Sequence, residues 1–166
     1  MNADPVVAAI AARLLARGEW LATAESCTGG LIAKCCTDLA GSSGWFERGL
    51  VSYSNRAKQE LLGVPEAILA SQGAVSEATV LAMARGLLAR APVQHAIAVS
   101  GIAGPGGGSA DKPVGTVWIA WADARGAEAR CLRFEGDREA VRQQAAELAL
   151  EQLLARLSAP DPASPP

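Results

Sequence analysis

The chain of 166 residues holds one histidine, one tyrosine and four cysteines, and its lysines are confined to Lys34, Lys58 and Lys112. Each scarcity removes a class of chemistry. A lone histidine, His95, cannot complete a Cys/His metal cluster. Cys27, Cys35, Cys36 and Cys131 form no C-x-x-C pair, so no metal site and no redox couple is expected. These cysteines read as reduced, mostly buried small hydrophobes of a cytosolic protein. Net charge is −2, and no basic stripe interleaved with aromatics occurs, which argues against a nucleic-acid partner. No apolar run approaches the roughly 18 residues of a membrane helix, so no membrane partner is expected. A basic stretch leading into an apolar signal core is also missing at the start; a cytoplasmic location is the expectation.

What is present is a large apolar fraction. Half of the residues are hydrophobic, enough for a sizeable core, and the length suits one domain, taken as residues 1–157. The Pro-rich "SAPDPASPP", 158–166, reads as a disordered tail. Apolar spacing predicts helices over 5–17, 27–39, 55–63, 76–90 and 137–157, the third capped by Asn55 and ended by Gly63, the fourth capped by Ser76 and the last starting at Asp137, with one or two more turns in "VPEAILAS". Strands are predicted at 20–24, 50–54, 95–101, 114–124 and 128–136, the last two as a hairpin around "RG". The Gly/Ser-rich 40–49 and the Gly/Pro-rich 102–113 read as loops. Helices between the early strands, followed by a hairpin, predict an α/β fold. Its form is a three-layer α/β/α sandwich with a mixed sheet of about five strands.

The chemistry-bearing segment is "TAESCTGG", 23–30, at a strand-to-helix junction. Ser26 there is either a helix cap or a nucleophile beside unpaired helical N–H groups that favour developing negative charge. It matches neither G-x-S-x-G nor S-x-x-K. A nucleophilic serine needs a base. His95 opens a buried strand and reads as a satisfied strand-end side chain. Lys58 follows "SYSNR" near a strand end and is either solvated or, if buried, a base. Bringing its pKa from ~10.4 to ~7.5 requires roughly 4 kcal/mol of destabilisation of the cation. Tyr53 can orient Lys58 or relay a proton, or simply pack. The loop "SGIAGPGGG", 100–108, fails both the P-loop and the G-x-G-x-x-G tests, which leaves a substrate-lining loop or an ordinary flexible one.

Six segments in register, "AESCTGG", "GSSGWFERGLVSYSNRAK", "GAVSEATVLAMA", "AVSGIAGPGGG", "KPVGTVWIA" and "FEGDREAVRQQA", resemble the C-terminal domain of the CinA family. Its stand-alone members are nicotinamide-nucleotide amidohydrolases (PncC). The resemblance runs from about residue 5 to residue 157. It implies hydrolysis of nicotinamide mononucleotide (NMN) to nicotinate mononucleotide and ammonia through a Ser/Lys acyl-enzyme, in pyridine nucleotide recycling and without a cofactor. The family nucleophile falls on Ser26, the tyrosine on Tyr53 and the lysine on Lys58. Cys27, Thr28, Gly29, Gly30, Ser42, Ser43, Ser100, Gly101, Gly104 and Arg142 are the expected substrate contacts. The phosphate is expected at loop 41–44, at Arg142 or at the 101–108 loop, while Arg138 and Arg142 also read as surface helix charges. The resemblance and the apolar helices imply a homodimer or larger homo-oligomer. The rival reading is a catalytically silent nucleotide-binding or regulatory domain; a Ser/His hydrolase using His95 is another.

Overall fold

A computed structural model describes residues 4–160. Five strands form one mixed sheet in the order β2-β1-β3-β4-β5: β1 (Leu21–Glu25), β2 (Phe46–Val51), β3 (His95–Gly101), β4 (Thr116–Asp123) and β5 (Gly126–Arg133). β1 lies parallel to both β2 and β3, and β4 and β5 run antiparallel. Six helices complete the fold: α1 (Pro5–Arg17), α2 (Leu31–Thr37), α3 (Asn55–Leu62), α4 (Glu66–Gln72), α5 (Glu77–Arg90) and α6 (Arg138–Ser158). The α/β/α sandwich is the one that the sequence predicts.

β1, β3 and β4 are buried on both faces, and the two faces differ in size. Leu21, Ile97, Val99, Val117, Ile119 and Trp121 meet α1, α2 and α6. Ala22, Ala24, Ala96, Ala98, Ala120 and Ala122 meet α3, α4 and α5. Small side chains let α5 approach the sheet, and the lack of alternating polarity follows from double-sided burial. Helix α5 also sits tight on α3: a Cβ at Gly86 would lie 1.8 Å from the Leu62 carbonyl oxygen.

Several element boundaries move: β4 runs Thr116–Asp123 rather than 114–124, and β5 runs Gly126–Arg133 rather than 128–136. α2 starts at Leu31 rather than 27, because residues 26–30 form a turn with Gly29 and Gly30 at positive φ. β2 covers Phe46–Val51; its first four residues fall in the stretch that its Gly/Ser content marks as a loop, and only residues 50–51 of the predicted 50–54 are strand. It is an edge strand with several half-exposed positions, which blunts its apolar signal. Ser54, not Asn55, caps α3, its side chain accepting from the Ala57 amide. Gly63, Ser76 and Asp137 end or begin helices as predicted. Ser158 closes α6, one residue into the predicted tail, and residues 161–166 lie outside the described residues.

Candidate active site

The parallel strands β1 and β3 end side by side, with the Ser26 amide donating to the Val99 carbonyl. Beyond those ends the chain must turn at once to start α2. Glu25 and the glycines manage the turn. The Glu25 carboxylate, 1% exposed, accepts from the Ile32 and Ala33 amides at 2.9 Å each and from Thr23 Oγ1. It therefore occupies the first amides of α2, which the sequence reading offers to a substrate anion. The turn itself is closed by Gly29 N–H donating to the Ser26 carbonyl and Leu31 N–H donating to the Thr28 carbonyl. On the other side, the Ser52 amide donates to the Glu25 carbonyl and ends the β1–β2 ladder.

Lys58 reaches this point from α3, across the sheet face opposite α6. Its side chain is fully buried. Nζ lies 2.9 Å from the Ser52 carbonyl, 3.0 Å from the Tyr53 carbonyl and 3.0 Å from Ser26 Oγ. Among the described residues no carboxylate pairs with it. Burial lowers its pKa from the ordinary lysine value to about 8. Desolvation penalises the cation, and carbonyl dipoles offset that penalty only in part. The two carbonyls can only accept, so two N–H bonds are fixed in direction. In the neutral amine the remaining position, the lone pair, faces Ser26.

Ser26, Cys27, Tyr53, Lys58, Ser100 and Gly101 line one cavity of about 230 Å³, together with Ala74, Val75, Ala103 and Arg138. The Cys27 thiol is pushed up to about 11 by burial, so it stays protonated near neutrality and is a poor nucleophile. The Tyr53 ring stands at the rim, 59% exposed. Its hydroxyl accepts from Arg138 at 3.2 Å, so the phenol meets Arg138 rather than Lys58, and Tyr53 reaches Lys58 through its backbone carbonyl. The same arginine donates to the Gly104 carbonyl at 2.8 Å, tying the Gly/Pro loop to the start of α6.

The other expected contacts separate from the cavity. Ser42 and Ser43 sit in a 3-10 turn before β2, whose first residue pairs with Leu21 at the start of β1. They are at the far end of the sheet, about 15 Å of strand from Ser26. Arg142 donates to the Cys27 carbonyl at 3.1 Å and to the Thr28 carbonyl at 3.0 Å. Thr28, Gly29 and Gly30 shape the turn rather than the cavity wall; Thr28 is fully buried. His95 is at the start of β3, bonded to Glu19 at 2.7 Å, remote from Ser26 beyond the other end of that strand. Sequence reasoning missed Glu25 as the α2 cap, the Ala74–Val75 wall, and Arg138 as a cavity residue. Glu25 has a local signal in its spacing to α2; the wall has none.

Known proteins share this arrangement of elements. The family model described as CinA C-terminal domain matches residues 3–157. Nicotinamide-nucleotide amidohydrolase PncC of Enterobacter agglomerans is 58% identical over 149 residues, covering 87% of this chain and 89% of that protein. The protein of the same name from Escherichia coli (strain K12) is 57% identical over 143 residues, covering 84% and 86%. The crystal structure of competence damage-inducible protein A from Klebsiella pneumoniae superposes with a TM-score of 0.90 at 42% identity, covering 94% of this chain and 97% of that one.

Proposed function

This chain belongs to the CinA C-terminal domain family, and from that premise we propose that it is an amidohydrolase that converts nicotinamide mononucleotide to nicotinate mononucleotide and ammonia. The observation that carries the reading is a buried amine without a carboxylate partner among the described residues, 3.0 Å from a serine hydroxyl in a cavity.

Neutral Lys58 takes the proton of Ser26 as Oγ attacks the carboxamide carbon. The positively charged pyridinium makes that carbon more electrophilic. The exposed Tyr53 ring at the rim offers a π face to the same cation. Charge builds on the carboxamide oxygen, where a backbone amide of the 27–28 turn stabilises it. Among the described residues, the amide of Cys27, which lines the cavity next to Ser26, donates to nothing else. The Lys58 ammonium returns its proton to the departing nitrogen, and ammonia leaves an acyl ester on Ser26. Water, deprotonated by the same lysine, then releases nicotinate mononucleotide. Arg138 is the cavity's arginine and the reading's phosphate ligand. It is preferred to Arg142 because Arg142 does not line this cavity.

Ammonia release from NMN by the purified protein and by Ser26→Ala tests this. Steady turnover by the first and none by the second is expected. Binding of NMN by calorimetry with no ammonia from either protein would favour the silent nucleotide-binding domain instead.

A further inference from the structure

The catalytic cavity has a neighbour. A second space of about 580 Å³ is lined by Gln72, Ser76, Leu81, Lys112 and Trp118 among others. Among the described residues, Val75 alone lines both. It stands between the space of about 230 Å³ that holds Ser26 and Lys58 and one more than twice as large. The segment before and after Val75 is tied down bond by bond. Lys112 Nζ, from the Gly/Pro loop, donates to the Gln72 carbonyl at 2.7 Å. Thr79 Oγ1 donates to the Gly73 carbonyl at 2.6 Å. Ser76 Oγ donates to Thr79 Oγ1 at 3.0 Å and accepts from the Thr79 amide as the cap of α5. Ser76 and Thr79 are both buried. The Ala74–Val75 wall is therefore a preorganised surface, fixed by hydrogen bonds on either side of it.

A carboxamide carbon that reacts here must reach Ser26 Oγ, and a phosphate arm runs to Arg138. Ala74, Val75 and Ala103 supply the apolar surface that is left, which suits a flat ring. We infer that Val75 is a specificity-determining residue, which closes the ring end of the catalytic cavity, admits a single six-membered aromatic carboxamide and excludes a fused bicyclic one. The inference rests on the amidohydrolase reading for the identity of the ring, but not for the wall. Valine suits the task because branching at Cβ holds its χ1 stiff, whereas a flexible methionine would swing aside into the larger space.

The test uses Val75→Ala and Val75→Phe, with thermal melts to confirm folding; the two have opposite expected signs, so either one decides if the other fails to fold. Ammonia release is measured on NMN and on the mononucleotides of quinoline-3-carboxamide and isoquinoline-4-carboxamide. These carry a second ring on one or the other free edge of the pyridine. In parallel, Ser26 is labelled with methanesulfonyl, benzenesulfonyl and naphthalene-2-sulfonyl fluorides. In that reaction the Oγ–S bond forms, the S–F bond breaks, fluoride leaves and Lys58 takes the hydroxyl proton. In Val75→Ala, kcat/KM on at least one bicyclic compound should rise about 10- to 100-fold relative to NMN, the worth of one or two methylenes in an apolar pocket. Naphthalene labelling should gain on benzene labelling by a similar factor. In Val75→Phe, turnover of NMN should fall at least ~10-fold, and benzene labelling should fall as much relative to methanesulfonyl labelling. Ratios that move in neither variant would overturn the inference. So would bicyclic compounds that the unaltered protein turns over as well as NMN. If the unaltered protein releases no ammonia from any of the three mononucleotides but the variants still shift the labelling ratios, the substrate reading falls and the wall stands.

Discussion

Two cavities lie at opposite ends of the same sheet, and the larger is the less reactive. The one at the start of β1 and β3 holds about 520 Å³ and is lined by Arg17, Glu19, His95, Asp123, Arg125 and Arg156 among others. Its charges are matched. His95 meets Glu19 at 2.7 Å, Arg125 meets Asp123 at 2.7 Å, and Arg156 reaches Asp123 at 3.6 Å and Glu128 at 2.5 Å. The cavity at the finishing ends of β1 and β3 is less than half that size and contains one amine with two carbonyls and a hydroxyl around it, and no opposing carboxylate. Volume and charge count both favour the first cavity; chemistry favours the second. A matched ion pair is relaxed and has little reason to exchange a proton. A desolvated amine beside an alcohol is poised to do so.

The sharpest way to break this comparison is to remove the unmatched amine. Lys58→Met should cut ammonia release from NMN by at least ~10³-fold, and adding Ser26→Ala to it should cost little more, because the two act as a unit. A double variant much slower than either single one would show that they act separately.

Titration probes the same contrast without mutation. Neutral Lys58 is the reactive form, and burial holds its pKa at about 8. The neutral fraction falls as pH drops, so kcat/KM should decline about tenfold for each pH unit below that value and level off above it. A profile that is flat from neutrality to about pH 9, or one falling on the alkaline side of it, would remove Lys58 as the base.

Arg138 and Arg142 sharpen the comparison within one helix, since they share a face of α6 at i, i+4 spacing. Arg138→Met should raise KM for NMN by about 10- to 100-fold, the worth of a charge-assisted phosphate contact. Nicotinamide riboside should be handled almost as before. Equal losses on both compounds would take Arg138 out of phosphate recognition.

The smallest effect belongs to the matched cavity. His95→Gln should leave turnover within about twofold of wild type, while weakening the bond to Glu19 and lowering the melting temperature by a few degrees. Collapse of turnover with an intact fold would revive a Ser/His mechanism.

Much of the site was legible because its signals are local. "ESCTGG" marks a sharp strand-to-helix turn, and the scarcity of histidine and lysine narrows the possible bases to a handful. The phenol of Tyr53 was less legible. Its position after "VS" suggests a strand residue facing Lys58, but β2 ends at Val51 and the ring swings to the rim beside Arg138. Ser42 and Ser43 fall outside the cavity for a related reason. They share a continuous motif with Tyr53, yet a whole strand separates them from the cavity. Nearness in sequence does not survive the length of an extended β2.

The sequence by itself determined the helices and strands that rest on runs of apolar residues, the caps at Ser76 and Asp137, the stop at Gly63, and the α/β class. Those features depend on interactions within a few residues, where spacing is information enough. The tertiary structure alone decided that Lys58 meets Ser26 across 32 residues of chain, that its amine is stripped of water, and that Arg142 faces carbonyls while Arg138 faces the cavity. Desolvation and the pairing of distant dipoles are set by which surfaces close over a group, and that closure exists only once the layers have packed.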